Sequence, residues 1–244
     1  MSDAEMKPIL RDLVIANHIL AHEGVVDAYG HVSLRDPRDP GRFLLSRSRS
    51  PELVEPDDIM TFTLDGRPVA GDDRPPYLER FIHAGIYERR PEVQAVVHAH
   101  AEAVLPFSIA NIPLRPVVHT ATDIGGEIPV WDIADKFGDA TNLLVTTQPQ
   151  GQDLARRLGD NRVVLMRGHG FAAAAGSLFL AVRMSIYLPR NARILMEALR
   201  LGAVKGLSAG EIGARRDFSP ASPERRRAWE YWARRAGCEA LLDR

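Results

Sequence analysis

Two hydrophobic rhythms alternate along the chain. Ile9, Leu10, Leu13, Val14, Ile19 and Leu20 recur at helical spacing, and Gly24 stands where a C-terminal cap belongs, so residues 4–22 are expected to form an amphipathic helix. Residues 25–34 read as strand, loop and strand, with Tyr29-Gly30-His31 at the bend. Residues 43–46 form a short apolar run that Pro51 keeps from extending far. Residues 59–64 and 67–69 flank Asp65-Gly66, the pair that tight hairpins prefer. Residues 77–90 return to the helical rhythm, placing Glu79 and His83 one turn apart on one face, and Pro91 ends it.

A short apolar run, residues 93–97, broken only by Gln94, leads into His98-Ala99-His100. Side chains alternate on a strand, so His98 and His100 point the same way and can share one ion. Residues 102–110 are expected to be a short helix, residues 117–119 and 128–131 strands, and residues 143–145 fit strand and helix equally. Thr147 caps an expected helix over 149–158 that Gly159 ends. Residues 163–166 lead to Arg167-Gly168-His169-Gly170, and residues 171–175 form the return strand. The longest helix spans 178–201, with a kink expected at Pro189, and the tail holds two shorter helices separated by Pro220 and Pro223.

Strands outnumber long crossover helices, and several neighbours are joined by tight turns. This predicts an α/β fold with a largely antiparallel sheet covered by helices. At 244 residues and 45% hydrophobic composition, one domain over 1–244 is expected, its last part (about 205–244) a helical extension. A net charge of −1 gives no global field for nucleic acid or a membrane surface. Arg225, Arg226 and Arg227 beside Trp229, Tyr231 and Trp232 are expected to be a packed stripe with a solvated face. The single cysteine, Cys238, excludes intrachain disulfides and is given no role. The polar, acidic N-terminus lacks the pattern of a signal peptide, and no run is long enough to span a membrane, so a soluble cytoplasmic protein is expected.

Three histidines at strand ends with a carboxylate upstream make the ligand set of an open catalytic metal site. His18 and His22 also stand one helical turn apart, but with no partner ligand nearby they read as solvated helix residues.

Glu79 and His83, then Pro91-Glu92-Val93-Gln94-Ala95-Val96-Val97-His98-Ala99-His100, then Met166-Arg167-Gly168-His169-Gly170, together resemble the class II aldolase/adducin family. The glutamate precedes the first histidine by nineteen positions, and the histidine-glycine follows about seventy residues on. The resemblance implies a three-layer α/β/α domain with a central, mainly antiparallel sheet, and a homotetramer with active sites at subunit interfaces. It carries His98, His100 and His169 over as metal ligands, and Glu79 as a carboxylate that ligates the metal or acts as base. The ion implied is Zn²⁺ or Mn²⁺, with Fe²⁺ also suited to the donor set.

The chain departs from family members that act on sugar phosphates. Their Gly-Asn bend, Thr-Gly loop and paired serines read here as Gly30-His31, Ser48-Arg49 and Tyr77-Leu78, and their proton-donating tyrosine falls at Thr120. Arg47, Arg49, His31 and His119 instead suit carboxylates, which a guanidinium grips through two parallel hydrogen bonds. The pattern is similar to the family's decarboxylase branch, which implies a metal-dependent, non-oxidative decarboxylase of hydroxylated aromatic or heteroaromatic dicarboxylates, or of related oxo-dicarboxylates from aromatic catabolism. In that expectation Glu79, His119 and Tyr231 are candidates for proton transfer, and His31, Arg47, Arg49, Tyr77 and Thr120 contact a small carboxylate substrate. An aldolase or epimerase acting on an unphosphorylated hydroxy-carbonyl compound, and an adducin-like scaffold, are the alternatives.

Overall fold

In a computed structural model, which describes residues 2–126, 128–214 and 222–242, one seven-stranded sheet runs through the described residues. Its strands are β1 (His31–Arg35), β2 (Arg42–Ser46), β3 (Ile59–Thr63), β4 (Ala95–Ala99), β5 (Val130–Trp131), β6 (Val163–Met166) and β7 (Gly170–Ala175). The spatial order is β3-β2-β1-β4-β7-β6-β5, and every pairing is antiparallel except β5 with β6. β4 lies in the middle and is buried on both faces, which is why it reads as apolar on both sides up to His98 instead of alternating.

Helices cover both faces. On one side lie α1 (Asp3–His22) and the long α6 (Leu178–Leu201); on the other lie α2 (Arg80–Arg89) and α5 (Gln148–Leu158). Along β4 and β7 the side chains divide between the two layers. Val97, Ala99, Phe171 and Ala173 pack with α1 and α6, whereas Val96, Ala172 and Ala174 pack with α2 and α5. Full burial of a valine or leucine contributes roughly 1.5–3 kcal/mol, and the strand period divides these contributions between the two layers. The architecture is thus the expected three-layer α/β/α fold with a mainly antiparallel sheet. Short helices α3 (Leu105–Ile109) and α4 (Ala134–Phe137) connect strands. Beyond α6 come α7 (Ala209–Gly213), α8 (Pro223–Arg235) and α9 (Glu239–Leu242), and Trp232, Ala233 and Cys238 join the core beside α6.

Several local expectations are corrected. Residues 25–30 form no strand: Gly24 takes φ +67° and the Val25 amide bonds back to the Leu20 carbonyl, so the valines are buried as a helix-terminating turn. Residues 117–119 do not pair with the sheet; the chain enters a 3₁₀ turn at His119–Ile124, which Asp123 ties to Arg183 of α6. The second arm of the Asp65-Gly66 hairpin makes only an isolated bridge, Pro68 with Phe62. α6 carries Pro189 in its interior and continues on both sides of it. Pro223 begins α8, while Pro220 lies outside the described residues. His18 is not solvated either, because its Nε2 lies 2.9 Å from the Val54 carbonyl and its Nδ1 3.4 Å from Cys238 Sγ.

Candidate metal centre

The sheet brings the distant histidines together through two features of the sequence. His98 stands next to last on β4, on the side of the α2/α5 layer, and His100 follows two residues later on the same side. His169 stands at the tip of the β6–β7 hairpin, whose Gly168 has φ +63°. At Gly170 a Cβ would meet the Ala99 carbonyl oxygen at 2.2 Å, so only glycine lets β7 start this close to β4 and bring His169 beside His100. Glu79 stands at the N-cap of α2, where the helix dipole favours a negative charge.

Four donor atoms converge. Nε2 of His100 lies 3.0 Å from Nε2 of His98 and 3.1 Å from Nε2 of His169. Glu79 Oε2 lies 3.4 Å from Nε2 of each of His98 and His169. All four donors fall within 4.8 Å of one another. A tetrahedral ion with bonds of about 2.0–2.1 Å has ligand-to-ligand edges of about 3.3–3.4 Å, so the donors stand at nearly the required spacing.

Hydrogen positions support the same conclusion. His98 Nδ1 faces the Phe171 carbonyl at 2.9 Å, and His169 Nδ1 faces the Leu143 carbonyl at 2.8 Å. A carbonyl only accepts, so both rings carry a proton on Nδ1 and, when neutral, turn a bare Nε2 lone pair toward His100. Lone pairs 3.0–3.1 Å apart repel unless a proton or a cation lies between them. Burial and the neighbouring His98 and His169 hold His100 down at about 4, so it presents a neutral imidazole. Burial pulls His169 down, but the Glu79 carboxylate more than offsets this and its pKa is raised. Glu79 is pushed up by burial and down, by more, by His98 and His169, so it stays ionised. A divalent cation would take the place of such a proton, and these donors fit one.

Residues 141–145 hold the centre from behind. Leu143 has φ +65°, rare for a branched side chain, and this aims its carbonyl at His169. Two residues on, the Val145 amide donates to Glu79 Oε1 at 2.9 Å. Sequence reasoning missed this segment because it acts through its backbone.

A cavity of about 330 Å³ opens beside the centre, with Glu79 and His100 on its wall together with His31, Arg49, Tyr77 and Leu144. The Tyr77 hydroxyl donates to the Arg49 carbonyl. Arg47 and Arg49 share Asp58, at 2.6 and 3.3 Å, and Arg47 is not on the cavity wall. His100 also borders a second hollow of about 540 Å³ shared with Asp27 and Arg193. A hollow of about 870 Å³ lies away from these residues between α1 and the β2–β3 side. His119 and Thr120 sit in the 3₁₀ turn outside the cavity, and Tyr231 is exposed on α8, 2.6 Å from Arg235 Nη1. Within one chain, then, Glu79, His98, His100, His169, His31, Arg49 and Tyr77 come together; Arg47 stands just behind Arg49, and His119, Thr120 and Tyr231 do not join them.

Residues 11–196 match the class II aldolase and adducin N-terminal domain. The chain belongs to the class II aldolase/adducin family. It is 36% identical to the decarboxylase tropJ of Talaromyces stipitatus, over 92% of each chain. It is 31% identical to the 3,4-dihydroxyphthalate decarboxylase of Arthrobacter keyseri, over 90% of each. Among solved structures, an aldolase II superfamily protein from Pseudomonas syringae superposes with a TM-score of 0.76 at 20% identity, covering 97% of this chain and 94% of that one. An L-fuculose 1-phosphate aldolase superposes at 0.72 and 21%, covering 87% and 95%. These superpositions establish the shared fold.

Proposed function

We propose that this class II aldolase/adducin family member is a metal-dependent, non-oxidative decarboxylase of a hydroxylated aromatic or related oxo-dicarboxylate. The observation that carries it is the convergence of three imidazoles and one carboxylate at a cavity walled by Arg49 and His31. Relatives named as decarboxylases, over nine-tenths of the chain, support the reaction class. A divalent ion held by His98, His100, His169 and Glu79 would supply a positive charge that stabilises electrons released as the carbon–carbon bond to CO₂ breaks.

The chain's own residues do the rest. Arg49, braced by Asp58, orients a substrate carboxylate at the rim. Tyr77 closes the wall beside His31, their rings 4.5 Å apart, and keeps bulk water from that side. Glu79 is the one carboxylate shared by the centre and the cavity, so it is placed to move a proton to or from the substrate. His119 and Tyr231 retain a part in proton transfer, and Thr120 in substrate contact, only where a second subunit supplies them, as in a homotetramer with sites between subunits. Among the described residues no helix is long and apolar enough to cross a membrane.

The test is metal analysis coupled to CO₂ release across a panel of hydroxy-dicarboxylates that includes 3,4-dihydroxyphthalate. About one divalent ion per chain and CO₂ release from at least one compound are expected. Cleavage of hydroxy-aldehydes or ketols without any CO₂ release would give the site to an aldolase instead. Absence of both bound metal and activity would favour the scaffold.

A further inference from the structure

Another histidine shares this cavity and is wired differently. His31 opens β1 directly opposite His98 in the strand register, and the two ring centroids lie 5.2 Å apart. Yet its Nδ1 points away from the centre, 2.6 Å from Nε2 of His83 on α2. His83 Nδ1 in turn lies 2.6 Å from Ser33 Oγ, which lies 2.8 Å from the Tyr87 hydroxyl. All four residues are buried, and Phe43 packs against both the His83 and Tyr87 rings.

The direction of this chain of hydrogen bonds follows from counting protons. Tyr87 has one hydroxyl proton, and Ser33 Oγ is the acceptor within its reach among the described residues. If the bonds ran from His31 inward, that phenol proton would be stranded in the core. Tyr87 therefore donates to Ser33, and Ser33 donates its own proton to His83 Nδ1. His83 has no carboxylate among its hydrogen-bond partners, so a charge there would be buried uncompensated, and the ring is neutral with its proton on Nε2. That proton goes to His31 Nδ1. His31, accepting at Nδ1, carries its own proton on Nε2, which has no hydrogen-bond partner among the described residues, and the residue lines the cavity. His98 and His169 hold the opposite tautomer, protonated at Nδ1.

We propose that Tyr87, Ser33 and His83 are positioning residues that fix His31 as an Nε2–H tautomer, making it a hydrogen-bond donor to an anionic oxygen of the substrate and denying it to the metal. The identity of that oxygen rests on the decarboxylase function above; the tautomer does not. An imidazole this close to His98 would otherwise compete as a further ligand and close a coordination position that an open site needs. Neutral His31 leaves the ion's charge undiluted while offering one directional donor.

The experiment is long-range proton–nitrogen NMR of the zinc-loaded protein labelled with ¹⁵N-histidine, with His31 assigned by its loss in His31→Asn. The wild type is expected to show His31 protonated at Nε2 alone. Ser33→Ala removes the donor to His83, so the His31 signals should move toward a mixture of both tautomers, and Ser33→Thr, which keeps the hydroxyl, should restore the single form. With 3,4-dihydroxyphthalate as substrate, kcat should fall about tenfold in Ser33→Ala at unchanged zinc content, the size expected for one hydrogen bond. Protonation of His31 at Nδ1 in the wild type, or an unchanged single tautomer in Ser33→Ala, would overturn the proposal. A wild type with the expected tautomer but no CO₂ release would support the hydrogen-bond chain and overturn the decarboxylase function alone.

Discussion

Glu79 stands where the start of α2, two imidazoles and the Val145 amide meet, so its charge and its shape are separable. Glu79→Gln keeps the acceptor for Val145 but removes the charge. Metal titration should then show affinity reduced by about 10–100-fold, with a larger loss of turnover. His83 gives the pH dependence. Burial holds it down at about 3 against an ordinary 6.5, so between those values the unfolded chain binds a proton that the folded one does not. Stability therefore falls as pH drops below 6.5 and this loss ends near 3, with a slope of up to about 1.4 kcal/mol per pH unit from this group. Urea midpoints between pH 7 and 5 should fall less steeply in His83→Gln. The four converging donors themselves were legible in the sequence, because imidazole and carboxylate chemistry belongs to residue type and His98-Ala99-His100 fixes a shared face. The Leu143 carbonyl and Val145 amide were not, since every residue has them and only the fold says where they point. His83 was visible as a neighbour of Glu79 on the helix, but its link to Ser33 crosses fifty positions of sequence.

Among the elements, two close approaches fix the geometry. α2 and α5 cross with their backbones nearly touching: a Cβ on Gly85 would meet the Gly151 carbonyl carbon at 2.3 Å, and one on Gly151 the Phe81 oxygen at 2.0 Å. The approach of β7 to β4 at Gly170 is as tight. Gly170→Ala should therefore destabilise the protein by about 3 kcal/mol in urea denaturation and reduce bound metal, because the hairpin must withdraw His169. The main strands were legible as apolar runs between breakers. Residues 25–26 and 117–118 misled because a valine pair next to a turn, buried at 25–26 and half-buried at 117–118, has the composition of a strand without a partner to bond, and pairing is a property of the sheet.

For the whole molecule, the antiparallel sheet with its covering helices was legible in the strand count and tight turns, and the three layers in the family resemblance; whether and how copies assemble is not contained in one chain. His119 and Tyr231 lie outside the cavity of their own subunit. If neighbouring subunits supply them, co-expressing inactive Glu79→Gln with inactive His119→Ala subunits should restore about a quarter of wild-type activity, the chance that one site draws both intact parts from an equal mixture. Sites complete within one subunit would give no such gain.

The cavity itself divides by kind of backbone. His31 on its wall, and His98 and His169 in the cluster beside it, are seated on or against paired strands, while Arg49 and Tyr77 on the wall ride on connecting segments. Rewriting those segments changes what the chamber admits without disturbing the reacting apparatus beneath. A lineage built this way is free to exchange one substrate for another by altering its cladding, and grafting the 47–50 segment from a relative is the shortest route to redirecting this one.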